Sequence, residues 1–358
     1  MSDGLKLTTY FGERDRVGDR FLADHLLDIY DRRRVGVGVL IRGVEGFGVK
    51  HRLRTDRLLT LSEDLPIVAA AVDEPVRIEE ALADVLELEF DGLVTLERTR
   101  LLGAGQARIR DEPGSATKLT LYLGRGARGG GRPAHAAVLD VLNEGGVDGA
   151  TVLLGVDGML SGVRRRARFW SPNAEVPLMV ISVAPAARLT PLLPRLKELA
   201  GEAGVTAERV QVLKRDGRVL REPEVVPGSD SSGLGRWQKL MLYSSEHTTF
   251  GGHPVHIEAV RRLRRGGAAG ATCLRGTRGF DGRHAPHGDT FLSLRRRVPT
   301  LTVVVDTPAA TGRWFEILDA ITPDRGLITS EVVPGFRATG PELRVGGLRL
   351  ADRLPPWS

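Results

Sequence analysis

A single cysteine, Cys273, stands in a chain of 358 residues. No disulfide can form within the chain, and a reducing compartment fits best. No apolar run approaches the roughly 18 residues needed to cross a bilayer. The opening "MSDGLKLTTYFGERD" lacks the apolar core of a signal peptide, so a cytoplasmic protein is expected. Catalytic signatures are missing too. There is no "GxxxxGK[ST]" phosphate loop, no nucleophile elbow, no paired-carboxylate motif and no zincin motif, and the expectation is a protein that is not an enzyme. What is present is an ordinary globular composition, 41% hydrophobic and 27% charged. A formal charge of +6 favours anionic partners without choosing among them.

The chain writes nearly the same phrase three times. "KLTTY" begins at Lys6, "KLTLY" at Lys118 and "KLMLY" at Lys239, offsets of 112 and 121. "RGVEGFG", "LGVDGML" and "RGTRGFD" place paired glycines at Gly43/Gly46, Gly155/Gly158 and Gly276/Gly279, with the same offsets. A proline opens an apolar run at Pro66, Pro177 and Pro299. The period far exceeds that of solenoids, so whole domains are repeated, over 1–105, 116–220 and 234–340. The stretches between copies, 106–116 and 221–235, have linker composition, and the tail after about residue 340 belongs to no copy.

Each copy reads as strand, helix, two strands, helix, strand. That order, βαββαβ, is the α+β ferredoxin-like or split βαβ arrangement. "IVAAAV" and "LMVISV" do not alternate apolar with polar residues, so these strands read as buried on both faces. Three ferredoxin-like domains whose sheets cover one another as a pseudo-trimer are the economical solution.

On "GERDR", "RGVEGFG" and "LSEDLPIVAAAVDEP" in copy 1, and "RGTRGFDG" and "VPTLTVVVDTP" in copy 3, each copy resembles the PII-like proteins of domain-of-unknown-function family 190. The PII nitrogen-signalling proteins are a more distant likeness. The resemblance implies a trimer-like architecture within one monomeric chain, ligand clefts between neighbouring copies, and a long loop after the second strand that docks on partners. It implies a regulatory sensor of a small anionic metabolite or nucleotide; a scaffold or docking module without a ligand is the alternative. Where PII proteins continue Gly-Phe-Gly with Arg and Gln, this chain has Val49 and Lys50 after Gly48, and the glycine- and lysine-rich loop before the last strand is short. ATP held in the PII manner is therefore not expected, whereas a smaller anion or a differently held adenine nucleotide remains; no other cofactor is implied.

In βαββαβ, three variable segments converge at one rim. The first, "GDRF", "GGRP" and "GGHP", is a glycine turn before a helix, with Arg20, Arg132 or His253 as an anion-binding side chain; Pro133 and Pro254 suit the first helical position. In the second, Gly43, Gly46, Gly276 and Gly279 allow close backbone approach to a ligand, Arg42 and Arg275 supply bidentate donors, and Phe47 and Phe280 flank them. Copy 2 has Leu154 and Met159 at the Arg and Phe positions and reads as degenerate. The long loops are basic, and Lys50, Arg52, Arg54, Arg164, Arg165, Arg166 and Arg283 are candidates for docking an acidic protein or a transporter surface. Nucleic acid is not expected, since "VGVLI", "LITSEVV" and "LVTLERT" carry no aromatic on which bases could stack. Five of the eight histidines fall in copy 3, but "HAPH" and "HPVH" lack accompanying ligands, so no metal site is expected.

Overall fold

The computed structural model describes residues 2–48, 54–55, 64–103, 109, 114–164, 176–201, 204–281, 298–340 and 343–351. The chain is mixed α/β and dominated by antiparallel sheet. Copy 1 contains β1 (Ser2–Gly12), α1 (Leu22–Arg32), β2 (Val37–Phe47), β3 (Pro66–Asp73), α2 (Pro75–Leu86) and β4 (Gly92–Leu101). Copy 2 repeats the order with β5 (Ala116–Gly124), α3 (Ala134–Glu144), β6 (Gly149–Leu154), β7 (Asp157–Leu160) and β8 (Pro177–Ala184). It continues with α4 (Ala186–Leu189), α5 (Leu193–Ala200) and β9 (Val205–Arg215). Copy 3 has β10 (Trp237–Ser245), α6 (Val255–Gly266), β11 (Ala271–Arg275), β12 (Arg278–Asp281) and β13 (Pro299–Asp306). It ends with α7 (Pro308–Ala320), β14 (Leu327–Val333), β15 (Gly335–Gly340) and β16 (Leu343–Gly347).

Within copy 1, β1 lies between β3 and β4, and β2 pairs with the far side of β3, all antiparallel. Copy 3 repeats this order. Helices form where apolar residues recur at i, i+4 and i+8. In α1, Leu22, Leu26 and Tyr30 are buried in this spacing, and in α6, Val255, Ala259 and Leu263 are. Thr307 caps α7 by accepting from Ala310 N–H, with Pro308 at the first helical position. Each sheet packs its helices on one face, in three separate cores.

The opposite faces meet in a fourth core that draws on all three copies. Val39, Ile41 and Val68 come from copy 1, Tyr122, Met179 and Ile181 from copy 2, and Met241, Leu301 and Val303 from copy 3. Hence β3 and β8 are buried along their length, as their non-alternating sequences imply.

At the middle of these inner faces lies a closed ring of six charges. Lys6 lies 3.1 Å from Glu97 and also bonds Glu208. Lys118 lies 2.6 Å from Glu331 and also bonds Glu208. Lys239 lies 3.0 Å from Glu331 and also bonds Glu97. The register places Lys6 opposite Glu97, Lys118 opposite Glu208 and Lys239 opposite Glu331. Every lysine therefore bridges its own copy's glutamate and one from a neighbour. None of the six is more than 8% exposed. Burial alone would push the Glu208 carboxyl up, but the surrounding lysines hold it down to about 2, and they depress Glu97 further still. Desolvating six ions is costly, and only full mutual neutralisation makes it tolerable.

Strand exchange adds a second lock. The end of β2 pairs with β11 of copy 3, β12 pairs with β6 of copy 2, and β7 pairs with β2 of copy 1. Each exchanged segment carries an apolar side chain into its neighbour's helix-side core: Phe47 into copy 3, Phe280 into copy 2 and Met159 into copy 1. The last strands exchange as well: β9 pairs with β4 at one end and with β14 at the other, and β15 pairs with β4.

The repeated glycines serve this exchange. A Cβ on Gly43 would stand 2.8 Å from both Cys273 O and Pro66 Cγ, and one on Gly46 2.7 Å from Ala271 O. On Gly279 it would stand 2.4 Å from Ala150 O and 3.0 Å from Pro299 Cγ. The paired glycines and the downstream proline are thus parts of one joint, in which the proline ring and the neighbour's backbone occupy the space of the missing side chains. Gly43 and Gly46 both lie within β2, and the close approach they allow is to the backbone of another copy's strand.

Candidate functional site

Gly12 lies opposite Pro66, Tyr10 opposite Leu93 and Arg42 opposite Ile67, so the ends of β1 and β2 and the start of β4 share one rim. The corresponding rim of copy 3 borders a cleft of about 220 Å³ that opens against copy 2. Copy 3 lines it with Tyr243 to Ser245 and Thr248, with Gly279, Phe280 and Pro299, and with the Asp324 to Leu327 loop. Copy 2 supplies Asp148 to Thr151, Ile181 to Val183, and Arg215 with Asp216. The walls combine apolar side chains, hydroxyls, exposed backbone and a few charges, the composition of a small-molecule site.

Two turns build its charged side. Arg215 ends β9, and Asp216 follows with φ of 47°, in the left-handed region that short polar side chains tolerate. Asp216 N–H donates to Gly326 O at 2.9 Å, and a Cβ on Gly217 would stand 2.1 Å from Pro323 O. The Asp-Gly turn of copy 2 is thereby docked against the Pro323–Gly326 loop of copy 3. Asp148 is held by Arg188 at 3.1 Å and by Arg215. Burial lowers the Arg215 pKa, partly opposed by Asp216. Among the described residues, no ion pair engages Arg325 or Asp324, both exposed.

The sequence-selected residues divide. Gly279 and Phe280 border the cleft, but Phe280 is buried in the copy 2 core. Gly276 sits beneath Pro299, with Pro299 Cγ 2.6 Å from where its Cβ would be. Arg275 is held by Glu246 through two contacts, one of 3.0 Å, and Arg42 by Glu13 at 2.7 and 3.0 Å. In copy 2, Arg125 replaces these glutamates and Leu154 the arginines, and Arg125 donates to Gly155 O instead.

Arg20 pairs with Asp28 at 2.5 Å and Arg132 with Asp140 at 2.6 Å, both exposed, and His253 is exposed as well. These three lie in short hairpins ahead of their helices, with Gly130 and Gly131, and Gly251 and Gly252, at positive φ in the turns. Pro133 and Pro254 fall at the N-cap, one residue before the expected first helical position, because the hairpin keeps them extended.

Two docking candidates are engaged within the molecule. Arg164 contacts Asp28 at 2.6 Å, Asp24 at 3.2 Å and Asp157 at 3.4 Å, pinning copy 2 to α1. Arg54 lies 3.0 Å from Asp64 and 3.6 Å from Asp15, packed where a side chain on Gly12 would otherwise be. Lys50, Arg52, Arg165, Arg166 and Arg283 lie outside the described residues.

Sequence reasoning missed Arg215, Asp216, Asp148 and Arg325. The Asp-Gly pair at 216–217 was the available signal, as a turn facing the rim of the next copy. Among the described residues, the acidic cluster with ligand-like spacing is Glu97, Glu208 and Glu331, whose charge the three lysines already match. No helix among them is long and apolar enough to cross a membrane.

Comparison with known proteins bears on these copies. The family model of domain-of-unknown-function family 190, described as Uncharacterized ACR, COG1993, matches residues 4–101, 116–212 and 237–334. The chain belongs to this family, three times over. Among solved structures, a mutant chlorite dismutase from Candidatus Nitrospira defluvii in complex with cyanide is 9% identical. It covers 61% of this chain and 91% of its own, with a TM-score of 0.19, too low to carry any argument.

Proposed function

We propose that the chain is a PII-like sensor, built as an intramolecular trimer of ferredoxin-like domains, that binds a small metabolite in the cleft between copies 2 and 3. In this reading it is not an enzyme: ligand occupancy alters the rim and the loops beside it, and a partner reads that change. The cleft itself carries the reading. It lies where the end of the first strand of copy 3, its Gly279–Phe280 segment and its Asp324–Leu327 loop border copy 2, so a ligand there touches two domains at once and biases their relative placement. Fusing three copies supports it further, because each boundary between copies can diverge on its own within one polypeptide.

The basic loops were the expected docking surface. Arg54 and Arg164 are spent on internal ion pairs, which moves the proposed partner surface to the loop tips and to the mouth of the cleft.

The test is native mass spectrometry of the full chain purified from its own host. A bound small molecule, lost when Ser245→Trp fills the cleft mouth, supports the reading. A chain with no retained molecule that nonetheless captures a partner equally well with and without Ser245→Trp favours the scaffold.

A further inference from the structure

The charges around the cleft are matched within the protein, and this narrows its ligand class; the inference rests on the cleft reading above. The Asp148 carboxylate is held by Arg188 at 3.1 Å and by Arg215. Asp216 in turn favours the charged form of Arg215 against the burial that disfavours it. Two arginines and two aspartates therefore answer one another. Arg325 and Asp324 are neighbours in sequence, exposed and of opposite sign, so the loop adds no net charge. An ionised ligand would carry in a charge for which the cleft holds no spare partner, and burying an unpaired charge is costly.

Beside this closed group the boundary is apolar. Val183 and Val210 of copy 2 belong to a small core against which Tyr243 and Leu327 of copy 3 pack. Leu327 lies opposite Arg215 in register, which sets the apolar wall next to the matched charges. Phe280 and Pro299 continue it, and the hydroxyl-bearing Ser245 and Thr248 line the same cleft. Its volume of about 220 Å³ is below the roughly 300–1,000 Å³ of sites for larger ligands, which suits a single ring with a short substituent.

We propose that the cleft takes an uncharged compound of one ring, carrying a hydroxyl or carboxamide, and rejects its ionised counterparts. The ring packs on the apolar wall between copies 2 and 3. The neutral substituent exchanges hydrogen bonds with water for hydrogen bonds with the cleft, at no cost in unmatched charge.

The experiment is ligand-observed NMR titration of the full chain with matched probes that differ in charge: benzamide and benzoate, nicotinamide and nicotinate, benzyl alcohol and benzylamine. AMP and bicarbonate run alongside. The expected result is binding of at least one neutral probe, at least tenfold tighter than its charged counterpart and lost in Ser245→Trp. Two variants test the cause. Arg215→Met leaves Asp216 unmatched and should raise the relative affinity of benzylamine at least threefold. Asp216→Asn, which tolerates the same left-handed backbone, leaves Arg215 in excess and should do the same for the carboxylates. Circular dichroism confirms the fold of each variant. A charged probe that binds as well as its neutral counterpart, or a preference that neither variant moves, overturns the assignment. Binding of only AMP, bicarbonate or another ion, abolished by Ser245→Trp, overturns it while the cleft reading survives. Silence across the panel also overturns it, and the cleft reading then falls only if native mass spectrometry finds no retained molecule.

Discussion

The axis and the rims of this chain obey different rules. At the axis, Lys6, Lys118 and Lys239 and Glu97, Glu208 and Glu331 are the same in all three copies. At the rims, Glu13 and Glu246 face Arg42 and Arg275, whereas copy 2 has Arg125 and Leu154. The axis cannot vary singly, since each charge answers two partners and losing one strands another in the dry interior. A rim charge touches water, so its replacement costs little and each rim is open to change. Repetition marks what the architecture requires, and divergence marks where a ligand or partner can be accommodated.

The sharpest way to break this contrast is at the axis. Lys118→Met leaves Glu208 and Glu331 short of a cation and should lower stability by about 3–5 kcal/mol in urea unfolding. Phe47→Ala empties a site in the copy 3 core and is expected to cost about 3–5 kcal/mol as well, although Phe47 belongs to copy 1. A smaller penalty, about 1–3 kcal/mol, is expected for Gly279→Ala, whose new Cβ must push against Ala150 O. The rim should respond least. Arg132→Ala removes an exposed pair with Asp140 and should change stability by less than about 1 kcal/mol, less again in high salt.

Acid probes the same difference. Glu208 and Glu97 are depressed in the folded chain, so their contribution is fully present above the ordinary glutamate value of 4.5. It is lost as the pH falls toward about 2, the folded value of Glu208. Tryptophan fluorescence should report little unfolding near pH 5 and a cooperative loss of structure as the pH approaches 2. Lys118→Met should move that transition to higher pH, and Arg132→Ala should not.

Much of this was legible in the sequence, although the reasons were not. Three markers kept in step revealed the three copies, and non-alternating strands revealed two buried faces. The lysine of "KLTTY" could be seen as a marker but not as half of an ion pair. Its glutamates lie some ninety residues away in strands such as "LVTLERT", where a lone charge reads as solvent-facing. The glycine pairs invited a ligand because close approach is what glycine permits, and sequence cannot say what approaches. Here it is a neighbour's backbone and a proline ring. The cleft was the least visible feature, since its two walls come from different copies and face each other only when the chain closes.

That closure rests on pairs between copies, and Lys118 with Glu331 is such a pair. The direct measurement is a double-mutant cycle with Lys118→Met, Glu331→Leu and both together, followed by urea unfolding. The double variant leaves two lysines and two glutamates matched at the axis, so it should be more stable than either single variant, with a coupling above about 1 kcal/mol. Strictly additive losses would mean that copies 2 and 3 do not meet there.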